Sequence, residues 1–506
     1  MSIDLVNGRY VAGAHCGHSM IPSSSRALDR KLLKAAQDQP PETGFSGFSN
    51  RIARLLLPLL LSSTPVLAQP PKLAISLAQA ELEAIGHSPI LKAAKSNLAA
   101  AQAQVDAQFA LLLPKLTAQG NYAYQTEVPM FHILPTAPVL QFGSHDTYSA
   151  GAALSYNFFD AGALRNAWKS QKFLANSQDD QVDLIRRQVL LMTRLDYFQV
   201  RLALESERSL TDSMRLAAAQ FHDINIRYRA GSASRIDWLS AREQVLDRDR
   251  DLRGAQADVA TALRTLFAQT GQDQGLDVSA PIDERISSPL PEGLQVPTVV
   301  VTLDEIDDLV SVLQAASKAA IDNSYPQLLV YQRQADAQRL AAKSLIAGLY
   351  PRLDFSFNST YAYPFVPFVQ WYYQNIPSFS ASVPLFDGGR IEKLAQAQRE
   401  FAKAAERQRD EAYDELLRDW HKARDQYAAL VDQESVDRQS VKETEEIASL
   451  RYASYRSGGS TILDVVTADL NAVESKVTAA RRKTQILIQL ATLDSLSVPS
   501  TPRNIP

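Results

Sequence analysis

One combination of residues recurs in this chain at a fixed spacing. Tyr228, Gly231, Ser234 and Asp237 return 227 residues later as Tyr455, Gly458, Thr461 and Asp464, and an apolar residue, Ile236 or Leu463, precedes each aspartate. Each copy falls where one long helical pattern stops and another starts. Glycine supplies the backbone freedom for the reversal. An aspartate just inside a helix start is favoured by capping and by the helix dipole. A second pair of carboxylates, Asp160 and Asp387, stands beside Gly162 and Gly388-Gly389 where strand-like patterns give way to helical ones. The chemistry on offer is hydrogen bonding and fixed negative charge, not bond cleavage.

No phosphate loop, zinc-protease helix motif or nucleophile arrangement occurs, so no catalysis and no cofactor are expected. His87, His132, His145, His222 and His421 are scattered without ligand spacing. His15-Cys16-Gly17-His18 could be drawn as a metal cluster, but its Gly, Ser and Pro neighbours favour disorder. Cys16 is the only cysteine and lacks the preceding apolar stretch of a lipoprotein signal. A formal net charge of −4 over 506 residues argues against nucleic acid as a partner.

The elements that must position these residues are mostly helical. Arg51 and Arg54 flank the apolar run 55–61, and Val66-Leu67-Ala68 offers small residues at a cleavage site, so 51–68 reads as a secretory signal. The periodicity predicts helices over 72–85 and 89–113, a strand over 116–124 and a loop to 146. A strand over 147–158 follows, then an unbroken helix over 163–229 free of proline and glycine, with Leu184, Leu191 and Phe198 seven apart. Another helix covers 236–270. A Gly/Pro/Ser/Asp-rich linker, 271–303, separates this half from a second that repeats the programme: helices 304–322 and 327–349, strand 353–363, loop 364–378, strand 379–386, and helices 390–455 and 462–493. The stripe of the second long helix contains Tyr413, Trp420, Tyr427, Leu416 and Leu430.

Pro89/Pro326 and Pro114/Pro351 are offset by 237, whereas Asp160/Asp387, Gly162/Gly389, Gly231/Gly458 and Asp237/Asp464 are offset by 227. The halves are therefore a duplication, with the ten extra residues of the first confined to 115–159. At about 1.5 Å per residue each long helix spans roughly 100 Å, and the two shorter helices of its half cover the same distance end to end. Such slender units must bury their faces against copies of themselves. The strands are about 8–12 residues long, alternate, and carry aromatics near their ends, which suits transmembrane β-strands. Any one of them alone reads equally as an ordinary soluble hairpin. Four cannot close a barrel and an open edge is not tolerated in lipid, whereas three chains would supply twelve.

Val383-Pro384-Leu385-Phe386-Asp387-Gly388-Gly389-Arg390, its weaker twin Tyr156-Asn157-Phe158-Phe159-Asp160-Ala161-Gly162 and the two Tyr-Gly-Asp turns resemble the TolC family of bacterial outer-membrane efflux proteins, over residues 72–495. The resemblance implies a mainly α fold with a small membrane β part. A duplicated helix–hairpin–helix unit would build a trimeric α-helical barrel continuous with a 12-stranded outer-membrane β-barrel. The domains would be 1–68 (extension and signal), 69–270 and 304–495 (the repeats), 271–303 (equatorial linker) and 496–506 (tail), with extracellular loops at 125–146 and 364–378.

The implied activity is that of a passive outer-membrane exit duct of a tripartite efflux system, with the helical barrel in the periplasm. Its partners would be two further copies of itself (a homotrimer), a periplasmic adaptor, an inner-membrane pump and outer-membrane lipid. A duct for type I protein secretion, or a coiled-coil periplasmic scaffold without a pore, are the alternatives. By position, Tyr228, Gly231 and Gly458 match the helix-tip turns that contact the adaptor. Asp464 matches a carboxylate ring at the entrance, and Asp237 and Tyr455 match a pair that tethers the tips when closed. Ser460 replaces an arginine of the family prototype, so a second tether is expected to be missing, and Thr467 stands where a second acidic ring can occur. Trp238 would pack on a neighbouring helix or serve adaptor docking.

Overall fold

A computed structural model describes residues 71–498 except 132–139, 142, 273–274, 276, 287–296 and 367. The signal segment, Cys16, His132, the middle of the first hairpin loop and the end of the tail lie outside the described residues. Secondary structure begins with β1 (Lys72–Ile75), α1 (Leu77–His87) and α2 (Pro89–Ala110). The sequence predicts helix from residue 72, but residues 72–75 instead pair in parallel with residues 300–303, and the Ser76 hydroxyl starts the helix by accepting from Gln79 N–H. A nonlocal sheet thus overrides local propensity. Pro89 sits at the first turn of α2, where its missing N–H costs nothing.

The first hairpin is β2 (Lys115–Tyr124) and β5 (Asp146–Phe159), with the two-residue strands β3 (Met130–Phe131) and β4 (Leu140–Gln141) paired inside its loop. Then come α3 (Ala163–Arg229), α4 (Arg235–Thr270), β6 (Pro281–Asp283) and β7 (Val299–Leu303). Within the predicted linker the described residues include two strands: β1, β7 and β6 form a parallel three-stranded sheet in that order. The expected helix over 304–322 is only α5 (Ile306–Leu313) followed by a 3-10 turn over 314–318. After α6 (Pro326–Ala347), β8 (Arg352–Phe365) and β9 (Gln370–Ser382) make the second hairpin, and α7 (Arg390–Arg456) and α8 (Ile462–Leu496) complete the chain. Among the described residues no helix is long and apolar enough to cross a membrane.

The second hairpin differs from the sequence expectation. Residues 370–378 are strand rather than loop, and Val383–Phe386 is not, with Leu385 and Phe386 almost fully exposed. Cross-strand aromatic contacts account for the change. Trp371 stacks on Tyr361 with centroids 5.0 Å apart, and Tyr372 meets Phe365 at 5.2 Å. Pro377, which has no N–H to donate, falls on β9, whose one neighbour within the protomer is β8. The four long strands run antiparallel in the order β2-β5-β8-β9, so β2 and β9 each keep one unpaired edge, and both are almost wholly exposed.

The largest core surrounds the small parallel sheet. Tyr197, Phe198 and Leu204 of α3 meet Leu263 and Leu266 of α4, Val299 and Val301 of β7, and Leu487 and Leu490 of α8. The long helices are not equivalent. α3 packs against α2, α4, α6 and α8, whereas α7 packs against α6 and α8. Most of the buried positions of α7 are alanines (395, 402, 405, 412, 423 and 448); of the stripe read from the sequence, Leu416 is buried, Trp420, Tyr427 and Leu430 are half-buried against the core, and Tyr413 is exposed.

Candidate functional site

At its tip each hairpin closes with a pair of local motifs. The C-terminus of α3 ends with Gly231 at φ +79°; Ser232 N–H donates to Arg227 C=O (2.9 Å) and Gly231 N–H to Tyr228 C=O (3.1 Å). The C-terminus of α7 repeats this with Gly458 at φ +83°: Gly459 N–H donates to Ser454 C=O (2.8 Å) and Gly458 N–H to Tyr455 C=O (3.1 Å). Both are Schellman closures, which require a left-handed residue. The helix that follows opens on a capping box in each half. Asp237 N–H donates to Ser234 Oγ (3.0 Å) and Ser234 N–H to Asp237 Oδ2 (3.2 Å). Asp464 N–H donates to Thr461 Oγ1 (3.3 Å) and Thr461 N–H to Asp464 Oδ2 (2.9 Å). The bonds from the Thr461 backbone and hydroxyl hold the Asp464 carboxyl below its usual range.

The tips lie side by side. Ile224, Ala241, Ile462 and Val465 form a small core with Phe221, Trp238, Tyr452 and Tyr455 packed around it. Tyr455 is close enough to Asp237 that, after burial, the carboxylate's charge is the next cause raising the phenol's pKa. The hydroxyl-to-carboxylate bond joining α7 to α3, however, is one the sequence did not flag: Tyr452 O–H donates to Asp223 Oδ2 at 2.9 Å. Burial, then this bond, pushes Tyr452 up to about 12, so it remains a donor at neutral pH. Arg227 lies 3.5 Å from the same carboxylate and donates to the Arg456 carbonyl. Tyr452 and Asp223 precede the two tyrosines of the repeated phrase by three and five residues, and no motif marks them.

Trp238 packs on its neighbours, meeting Phe221 and Tyr228 at 5.9 Å and donating from Nε1 to Asn225 Oδ1 at 3.1 Å. The Ser460 and Thr467 hydroxyls are spent locally, on the carbonyls of Arg451 and Leu463. Ile236 and Leu463, equivalent residues of the two tips, are each about 70% exposed (73% and 70%).

At the opposite ends of α3 and α7, Asp160 Oδ1 accepts from Gly162 N–H (2.9 Å) and Oδ2 from Leu164 N–H (2.6 Å). Asp387 does the same with Gly389 and Ile391, both at 2.9 Å. These carboxylates satisfy orphan donors at a helix start. Gly162 and Gly389 are left-handed, as is Gly388 at φ +69°; its counterpart Ala161 adopts φ +52° despite its Cβ. Ala161→Gly should therefore raise stability by about 1 kcal/mol, the steric cost of a left-handed alanine less the added freedom of the unfolded chain. The midpoint of thermal unfolding followed by circular dichroism measures this; an unchanged or lower midpoint counts against a strained Ala161.

Among the described residues no group of three or more His, Cys, Asp or Glu side chains could hold a metal ion. The outer membrane efflux protein family matches residues 82–272 and 317–497. A search of curated proteins finds no match. Several solved structures share the fold. A membrane protein from Pseudomonas aeruginosa aligns with a TM-score of 0.64 at 18% identity, over 83% of this chain and 93% of that one. The outer membrane protein VceC from Vibrio cholerae aligns with 0.64 at 17%, over 83% and 95%. The CmeC outer membrane channel of Campylobacter jejuni aligns with 0.64 at 16%, over 83% and 85%.

Proposed function

Because this chain belongs to the outer membrane efflux protein family, we propose that it works as a homotrimeric exit duct for small toxic compounds, handed on by an inner-membrane pump through a periplasmic adaptor. It is an outer-membrane channel with its helical part in the periplasm. The observation that carries the trimer is the four-stranded sheet with both edges, β2 and β9, unpaired. In hydrocarbon every strand edge must be satisfied, so β9 of one protomer pairs with β2 of the next until the sheet closes. Three copies give twelve strands. The exposed flank of α7 is buried in the same closure, against the next protomer.

The tips are the gate and the adaptor contact in this reading. Turns at Gly231 and Gly458 present Ile236, Leu463 and the ring of Tyr228 outward, an apolar patch suited to a partner's helical tip. Asp464, held ionised by its cap, contributes one carboxylate per protomer around the entrance and favours cations there. Tyr455 beside Asp237, together with the Tyr452–Asp223 bond, clasps the α7/α8 hairpin to the α3/α4 hairpin and holds the entrance narrow.

A heat-resistant trimer in outer-membrane extracts that conducts ions in planar bilayers tests the duct; a monomer that washes off the membrane would sink it. Asp237→Ala with Tyr455→Phe, and Tyr452→Phe separately, should each raise resting conductance several-fold. If both channels stay as closed as the parent, the clasp is not the gate. Asp464→Ala should reduce cation selectivity and block by multivalent cations, read from reversal potentials. Selectivity that survives the change places the acidic ring elsewhere.

A further inference from the structure

Beginning about 10 Å from the tips and reaching about 30 Å along the helices, a cavity of about 370 Å³ opens between α3, α7 and α8, with Gln244 of α4 in its wall. Its polar part is unusual in composition. Asp469 is 4% exposed, and its Oδ2 accepts from Gln220 Nε2 (2.9 Å) and Gln244 Nε2 (3.4 Å). Gln220 is 2% exposed, and its Oε1 is buried without a hydrogen-bond partner. Orienting the amide so that Nε2 serves the carboxylate forces Oε1 to this position. Leaving a buried amide oxygen unmade costs about 1–3 kcal/mol.

The other charges of the wall are matched. Asp212 is paired with Arg215 at 3.2 Å, and Glu445 with Lys476 at 2.5 Å. Arg248 is near enough to favour the charge of Asp469, but its Nη1 bonds Asp251 and its Nε is buried without a partner. The lining thus offers a buried carboxylate and an unpartnered amide oxygen, while its one ammonium, Lys476, is paired with Glu445; Leu216, Val473 and the ring of Tyr452 wall the rest.

We propose that this cavity is a binding site for a small primary ammonium or amidinium compound with an apolar body. Its N–H groups donate to Asp469 and, once the Gln220 amide turns toward the cavity, to Oε1, which is closed to solvent as it stands; its apolar part lies on Leu216 and Val473. A quaternary ammonium brings the charge but no donor, and a neutral alcohol brings a donor but no charge, so both fit less well. Burial raises the pKa of Asp469, and a bound cation opposes that effect. Because the site joins residues of α3, α4 and α8, a bound cation also favours the arrangement in which the two hairpins lie together. The proposal rests on the geometry of one protomer and stands apart from the pump or substrate the duct serves.

Calorimetric titration of the full-length protein in detergent with phenethylammonium tests it, against phenyltrimethylammonium and phenethyl alcohol. Saturable phenethylammonium binding is expected, with at least tenfold weaker binding of the other two. Asp469→Asn, nearly isosteric, and Val473→Trp, which fills the cavity, should each weaken it at least tenfold while circular dichroism and trimer recovery are unchanged. Absence of saturable binding, equal binding of the alcohol, or affinity unchanged in both variants would overturn the proposal. Loss of bilayer conductance with binding intact would instead implicate the duct reading.

Discussion

Replacing Arg194 by alanine should destabilise the protein by about 3–5 kcal/mol, the cost of breaking a buried ion pair from one side. Arg194 is 2% exposed in the middle of α3. Its Nε donates to Glu81 of α1 and its Nη1 to Asp494 of α8, both at 2.6 Å. One guanidinium thus joins segments 113 and 300 residues away to the central helix. Without it, two carboxylates remain in a poorly solvated seam and repel. The thermal midpoint measured by circular dichroism in detergent reports the loss. A triple variant, Arg194→Met with Glu81→Leu and Asp494→Leu, should recover most of it, because apolar groups of similar volume carry no desolvation cost. A single variant as stable as the parent would mean that the triad is solvated in the assembled protein.

Glu207→Gln should remove a pH dependence on the order of 4 kcal/mol from the folding equilibrium. Glu207, also on α3, is fully buried, and neither carboxylate oxygen has a hydrogen-bond partner of good geometry. Burial, and behind it the charge of Asp283 on β6, pushes its pKa from 4.5 up to about 8, with Gln256 of α4 opposing weakly. The folded state therefore holds this proton more tightly than the unfolded chain does. Its stabilising contribution is complete below about 4.5 and is lost as the pH rises through 8. Between pH 5 and 9 the parent should lose stability relative to Glu207→Gln, whose amide does not titrate. Parallel midpoints across that range would sink the assignment.

Both residues sit where the charges of the molecule concentrate. Arg201 reaches Glu305 at 2.8 Å, while Arg285 reaches Glu205 at 2.7 Å and Asp283 at 2.6 Å, all around the small parallel sheet. The segment read as an equatorial linker thus contributes Asp283 and Arg285 to an ion-pair network with α3 and Glu305. Its composition is rich in Gly, Pro, Ser and Asp, but the five residues of β7, Val299–Leu303, bury three side chains and pair with strands on both sides. Their short apolar run cannot announce its partners.

What was legible in the sequence is what the chain decides within a few residues. The two Tyr-Gly-Asp phrases fold as Schellman closures and capping boxes, and Asp160 and Asp387 cap the helices they precede, because every bond involved spans six residues or fewer. The long helices, α3 and α7, follow from the absence of proline and glycine, and the duplication from constant offsets. Only the tertiary structure decided that α3 is central and α7 marginal, that alanines fill most of the buried positions of α7, and that Tyr452 finds Asp223 across 229 residues. The same holds for the register that turns residues 370–378 into strand and for the unpartnered amide oxygen beside Asp469. These depend on which distant surfaces meet. A residue's type and its near neighbours set its local hydrogen bonds, but burial is shared between segments whose encounter no local pattern encodes.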